Sequence, residues 1–213
     1  AVADKDLLRG AFDRVLTDVN YGVARPGFTA YEDGSCLMAV ARYALTGGPE
    51  LPDRPTIRQA MDILTDRTLG AQQTQGPEIG YWGYTGPGND SSTTQFAMAG
   101  LGAARTWYIQ QPDPAAFDKV VAIAEITHRT ADAYEHTANA DGGHGYRIGS
   151  PSSYQQTATA VFVKTVGGIP LHEPSLQASV RWLYDRYNYQ TIAAQPAFDT
   201  TGACPTFINR KAP

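Results

Sequence analysis

Two acidic residues, Glu32 and Asp33, stand side by side just before the apolar run that contains Leu37 and Val40. Two carboxylates that converge on one substrate can act as acid and base. Asp90, Asp141 and the more distant Glu78 are the other candidates. Asp90 precedes Ser91-Ser92 and reads as a helix cap. Asp141 precedes Gly142-Gly143 and reads as a turn residue. Asp33 with Glu32 is therefore the best candidate for a catalytic acid pair. A second group combines aromatic rings with polar side chains: Tyr31, Tyr81, Trp82, Tyr84, Asn89, Asp90, His144, Tyr146 and Arg147. Of these, Tyr81, Trp82, Tyr84, Asp90, His144, Tyr146 and Arg147 are the candidate ligand-binding residues, with chemistry suited to a glycan or an apolar ligand. The competing reading is that the aromatics pack the loops and the acids cap helices.

Other chemistries find no support in the residue spacing. His128 and His136 are too far apart to share adjacent helical turns, and Asp141 with His144 lies in a Gly-rich loop, so no metal site is expected. No phosphate-binding glycine motif opens a helix after a strand, and no serine elbow is present. No cofactor is expected. Cys36 and Cys204 either pair in an exporting compartment or remain free thiols.

These residues lie in repeats. The segment GYWGYTGPGNDSSTTQFAMAGL begins at Gly80 and GGHGYRIGSPSSYQQTATAVF begins at Gly142. Both carry Gly-x-x-Gly-Tyr, a Gly/Pro/Ser loop, Ser-Ser-x-x-Gln and a small-residue helix. Tyr84 matches Tyr146 and Gln95 matches Gln156, a period of about 61 residues, which suits a helix pair with a long loop. A weaker copy, GFTAYEDGSCLMAVARYAL, begins at Gly27. An amphipathic helix precedes each copy, with apolar stripes at Leu8, Ala11, Phe12, Val15 and Val19, at Ile57, Ala60, Met61 and Leu64, and at Phe117, Val120, Val121 and Ala124. Leu176, Val180, Leu183, Tyr184 and Tyr187 mark a fourth. Asp113-Pro114 and Pro174-Ser175 read as helix starts, and Ser91 and Ser152 as caps. The helices after Ser91 and Ser152 are apolar almost all round and are expected to be buried, with the amphipathic helices outside them. Gln95 and Gln156 are expected to tie their helices to loop backbone. The pattern predicts seven helices near 5–19, 34–46, 56–73, 91–108, 114–138, 152–166 and 175–190, an all-α chain of about three and a half repeats. Residues 1–190 form the repeat domain; 191–213, rich in Pro, Gly and Thr, form an irregular tail.

GYWGY at Gly80–Tyr84, DGGHGYR at Asp141–Arg147 and the Ser-Ser-x-x-Gln starts at Ser91 and Ser152 resemble the repeats of the prenyltransferase and squalene–hopene cyclase superfamily. The resemblance covers about residues 5 to 190 and implies an α/α toroid of up to six helix pairs, of which this chain supplies three and a half. It does not carry activity over. The Asp-x-Asp-Asp acid of the cyclases is absent. Asp33-Gly-Ser-Cys36 resembles the Asp/Cys pair of the prenyltransferase zinc site, but the spacing differs by one and no matching His follows.

The chain has 213 residues, a net charge of -4 and 42% apolar residues, values of an ordinary globular protein. It carries no basic footprint for nucleic acid and no apolar run near the roughly 18 residues of a membrane span. The opening Ala1-Val2-Ala3-Asp4 fits the mature end left by signal cleavage, so an extracytoplasmic or secreted setting is expected, with the cytoplasm as the alternative. An incomplete ring leaves apolar edges, for which the tail 191–213, a second copy and another polypeptide are the candidate covers; a protein partner or second copy is expected rather than self-capping by the tail. The function expected is a non-catalytic or lapsed toroid serving in binding or assembly. The alternative is a toroidal-cavity enzyme, terpenoid-cyclase-like or acting on a polysaccharide.

Overall fold

The computed structural model describes residues 2–186, with side chains from Lys5 onward. The tail 191–213, with Cys204, lies outside these residues, as does Tyr187. Seven helices follow in order: α1 Val2–Thr17, α2 Ala30–Leu45, α3 Ile57–Gly70, α4 Ser91–Tyr108, α5 Pro114–His136, α6 Tyr154–Val166 and α7 Pro174–Arg186. Among the described residues no strand forms, only an isolated bridge between Trp82 and Pro87. Among the described residues no helix is long and apolar enough to cross a membrane.

The helices alternate between two rows. α2 packs on α4 and α4 on α6, while α1, α3, α5 and α7 lie against their neighbours in that row. Small residues set the closest crossing. Gly34 on α2 and Gly100 on α4 meet so tightly that a Cβ on Gly100 would stand 2.8 Å from Gly34 Cα. Around them Leu37, Val40, Met61, Leu64, Met98 and Leu101 are wholly buried. Ala99, one residue from this crossing, is only half-buried.

Local chemistry fixes the helix starts. Asp90 caps α4 by accepting from the amides of Ser92 and Thr93, and Asp113 caps α5 ahead of Pro114. Thr56 and Gln59 form a capping box on α3. Three expected details change. Ser153, not Ser152, caps α6; Ser152 donates to Asp141 instead. Ser175 lies inside α7 and donates to Glu135 at 2.6 Å rather than capping. α2 begins four residues earlier than the apolar pattern suggests, because Asp33 accepts the Thr29 amide at 2.9 Å and so satisfies the helix start.

The buried stripes of three outer helices also differ from expectation. On α5, Phe117 and Val121 are exposed, and the buried face is Ala116, Ile123, Thr127, Thr130, Ala131 and Tyr134. Thr127 and Thr130 bury at little cost because each hydroxyl bonds the carbonyl four residues back, at 2.8 and 3.0 Å. On α1, Leu8 and Ala11 are exposed while Phe12, Val15 and Leu16 are buried, and Val19 lies exposed in the turn beyond the helix. On α7, Leu176, Ser179 and Trp182 are buried, and Val180 and Tyr184 are exposed. α6 is not buried all round: Ala158 and Thr165 are exposed.

Candidate functional site

The loops that lead into α2, α4 and α6 gather at one end of the inner row, held by a repeated backbone bond. The first amide of α2, from Ala30, donates to the Tyr84 carbonyl at 2.9 Å. The first amide of α4, from Ser91, donates to the Tyr146 carbonyl at 3.1 Å. Each helix start is thus completed by the loop of the following repeat. The same register brings three tyrosines together. Tyr31 and Ser92 bond through their hydroxyls at 2.7 Å, Tyr84 and Tyr146 at 3.2 Å, and Ser92 and Tyr146 at 3.4 Å. Tyr31 meets the rings of Tyr84 and Phe96 edge-on.

Asp90 anchors this cluster. Ser92 Oγ donates to Asp90 Oδ1 at 2.6 Å, so its single hydrogen points inward. Tyr31 must then donate to Ser92. With Tyr146 also donating there, Tyr84 donates to Tyr146. The Tyr84 hydroxyl lies above its ordinary pKa, raised by the bond to Tyr146 against a lowering contact with Tyr31. Asp90 is 4% exposed, and its second oxygen, Oδ2, has no hydrogen-bond partner.

The expected ligand residues separate into two groups. Tyr84, Tyr146 and Arg147 are on the surface. Tyr81, Trp82 and His144 are interior. Trp82 Nε1 donates to the Thr68 carbonyl at 2.8 Å. Tyr81 stacks on Tyr134 and bonds Thr137 at 2.7 Å; burial lifts its hydroxyl to about 12. His144 stands ahead of α6 as Trp82 stands ahead of α4: Trp82 N donates to Thr94 Oγ1 at 3.1 Å and His144 N to Thr157 Oγ1 at 3.0 Å. Its ring lies beside Tyr134, its Nε2 has no hydrogen-bond partner, and burial, with Lys164 nearby, lowers its pKa to about 3.

The acid pair does not assemble. Asp33 is fully buried, with Arg25 Nη2 2.8 Å from Oδ2 and Arg67 Nη2 2.8 Å from Oδ1. Arg67 also clasps the carbonyls of Gly22, Arg25 and Gly27. Burial raises the Asp33 carboxyl, against the pull of the Thr29 amide and both guanidiniums. This arrangement fastens the loop before α2 to α3. Glu32 is half-buried beside it. Asp141 is likewise occupied, by the Gly143 amide, Ser152 and Trp182 Nε1 at 3.0, 2.7 and 2.8 Å. Burial opposes its ionisation, but these donors hold its pKa below the ordinary range.

Cys36 is buried and has no disulfide partner among the described residues; burial pushes its thiol up to about 11. Among the described residues no three His, Cys, Asp or Glu side chains are grouped to hold a metal. A groove of about 470 Å3 opens along the inner row, lined by Met38, Ala99, Ala103, Ile123, Phe162 and Val166 among others, with no carboxylate.

Several structurally central residues gave little signal in the sequence. Ser92 is hidden in a serine pair that reads as capping. Arg25 and Arg67 lie about 40 residues apart and show no motif. Lys164, wholly buried with its amine 3.4 Å from the Ser175 carbonyl, was visible as the one cation in an apolar helix. Gln95 does tie its helix, but to a neighbouring helix rather than to loop backbone: it accepts from Thr159 at 2.8 Å. The Oε1 of Gln156 is buried without a partner.

Comparison with known protein families, with curated proteins and with solved structures finds no match to this chain.

Proposed function

We propose that this chain is a non-catalytic, toroid-like repeat protein related to the prenyltransferase and squalene–hopene cyclase architecture, and that it serves in binding or assembly. The observation that supports this reading is the employment of its acids. Asp33 and Asp90 stand at the starts of α2 and α4 and Asp141 in the loop ahead of α6, where a catalytic acid would be useful, and each is engaged in fastening its own loop or helix. The groove along the inner row offers apolar surface without a proton donor of suitable strength. The surface that remains free to meet a ligand is the cluster of Tyr31, Tyr84 and Tyr146. A partner chain or second copy completes the array in this reading, covering the first helix where Leu7 and Leu8 stand 73% and 61% exposed.

Incubation with squalene, an isoprenoid diphosphate or a polysaccharide is expected to leave each unchanged. Turnover that disappears in a folded Asp33→Asn variant would overturn the non-catalytic reading. Light scattering tests the assembly: a monomer at micromolar concentration that binds no hydrophobic dye would show that no partner is needed.

A further inference from the structure

We propose that the surface formed by Tyr31, Tyr84 and Tyr146 binds a neutral carbohydrate, with a sugar ring against Tyr84 and sugar hydroxyls donating to the tyrosine oxygens. The proposal rests on the binding reading above and gives its ligand a chemical class.

The direction of the hydrogens carries the argument. Asp90 draws the Ser92 hydrogen inward, Ser92 draws those of Tyr31 and Tyr146, and Tyr146 draws that of Tyr84. The Tyr31 hydrogen is spent inside the cluster at 2.7 Å, and those of Tyr146 and Tyr84 are drawn the same way over the longer contacts of 3.4 and 3.2 Å. What faces outward is a set of oxygen lone pairs, an array that accepts and does not donate. Hydrogen bonds in such a chain polarise one another toward the carboxylate at its end. Three repeats contribute one tyrosine each, so the array is rigidly spaced by the fold. Tyr84 and Tyr146, at 54% and 38% exposed, present ring as well as oxygen. A ligand that matches must offer several donors next to an apolar face, the pattern of a pyranose.

An organic cation would also meet acceptors and aromatic rings. The charge balance disfavours it. Asp90 is buried at the N-terminus of α4, whose dipole and whose Ser92 and Thr93 amides already offset the carboxylate. The residue next to Tyr146 is itself a cation, the exposed Arg147, which offsets the half-buried Glu32 next to Tyr31. A neutral donor-rich ligand suits both facts.

The test uses protein labelled on its tyrosine rings, with Tyr84 and Tyr146 signals assigned from single variants. Cellohexaose, chitohexaose, maltohexaose and mannohexaose are titrated in turn, then tetramethylammonium chloride and a neutral fragment library. At least one hexasaccharide is expected to shift the Tyr84 and Tyr146 signals saturably. Tyr84→Ala should abolish that shift. Tyr146→Phe, which keeps the ring and loses the oxygen, should weaken binding about three- to tenfold at an unchanged melting temperature. Failure of all four sugars to shift these signals would overturn the carbohydrate assignment. If tetramethylammonium or a fragment shifts them instead, the surface still binds and only the ligand class is wrong. If no compound of any class does so, the binding reading falls with it.

Discussion

Gly34 and Gly100 touch backbone to backbone where α2 crosses α4: a Cβ on Gly100 would lie 2.8 Å from Gly34 Cα and 2.9 Å from its carbonyl oxygen. No other residue type fits without moving a helix. The crossing lies one helical turn or so from the tyrosine cluster, since Phe96 on α4 reaches Tyr31. Its closeness therefore bears on the spacing of Tyr31 and Ser92.

Gly100→Ala should force the two helices apart and cost about 1–3 kcal/mol by overpacking. Urea unfolding followed by circular dichroism would measure it. A variant as stable as the parent would mean that the helices do not cross at these glycines.

Asp33→Asn should be more damaging, although no reaction depends on it in our reading. It would leave the guanidiniums of Arg25 and Arg67, which are only 11% and 16% exposed, without a counter-charge. Losing one member of a buried ionic cluster costs on the order of 3–5 kcal/mol. The loop 22–29 should then exchange its amide hydrogens faster, which mass spectrometry reads directly. Unchanged exchange there would remove the fastening role.

The buried imidazole of His144 sets a pH dependence whose sign is fixed. Its folded pKa of about 3 lies below the ordinary 6.5, so the unfolded chain binds the proton more readily. Stability from this group is full above pH 6.5 and is lost as pH falls from there toward 3. The slope approaches about 1.4 kcal/mol per pH unit for one proton. His144→Gln, which does not titrate, should flatten the curve between pH 6 and 4 relative to the parent. Parallel curves would show that His144 meets the proton equally well in both states.

Gln95 and Thr159 link α4 to α6 with one hydrogen bond of 2.8 Å. A double-mutant cycle of Gln95→Ala and Thr159→Val should give a coupling of about 0.5–1.5 kcal/mol. Additive single effects would mean that the bond is not formed in solution.

The existence and order of all seven helices were legible because their apolar periodicity is long and their caps are local: Asp90 and Asp113 act within three residues of themselves. The buried face of α5 was not legible. Its bulky residues Phe117 and Val121 suggested one phase, while threonines that satisfy their own hydroxyls form the real contact face. Tyr84 and Tyr146 stood out because they repeat. Their convergence on Ser92 did not, since it depends on how successive loops stack. Asp33 looked like a catalytic acid because its partners, Arg25 and Arg67, come from another loop and another helix.

The bonds from Ala30 to the Tyr84 carbonyl and from Ser91 to the Tyr146 carbonyl run in one direction along the chain. During synthesis, the first amides of α2 and α4 stay unpaired until the loop ahead of the next inner helix has left the ribosome. At ordinary translation rates that wait is on the order of 3–12 s per repeat of about 61 residues. Shortening the chain is asymmetric for the same reason. Trimming from the front removes donors along with their helix, whereas trimming from the back strands the amide of a helix that stays. New units can be added at the front without leaving an amide of the existing array unmet.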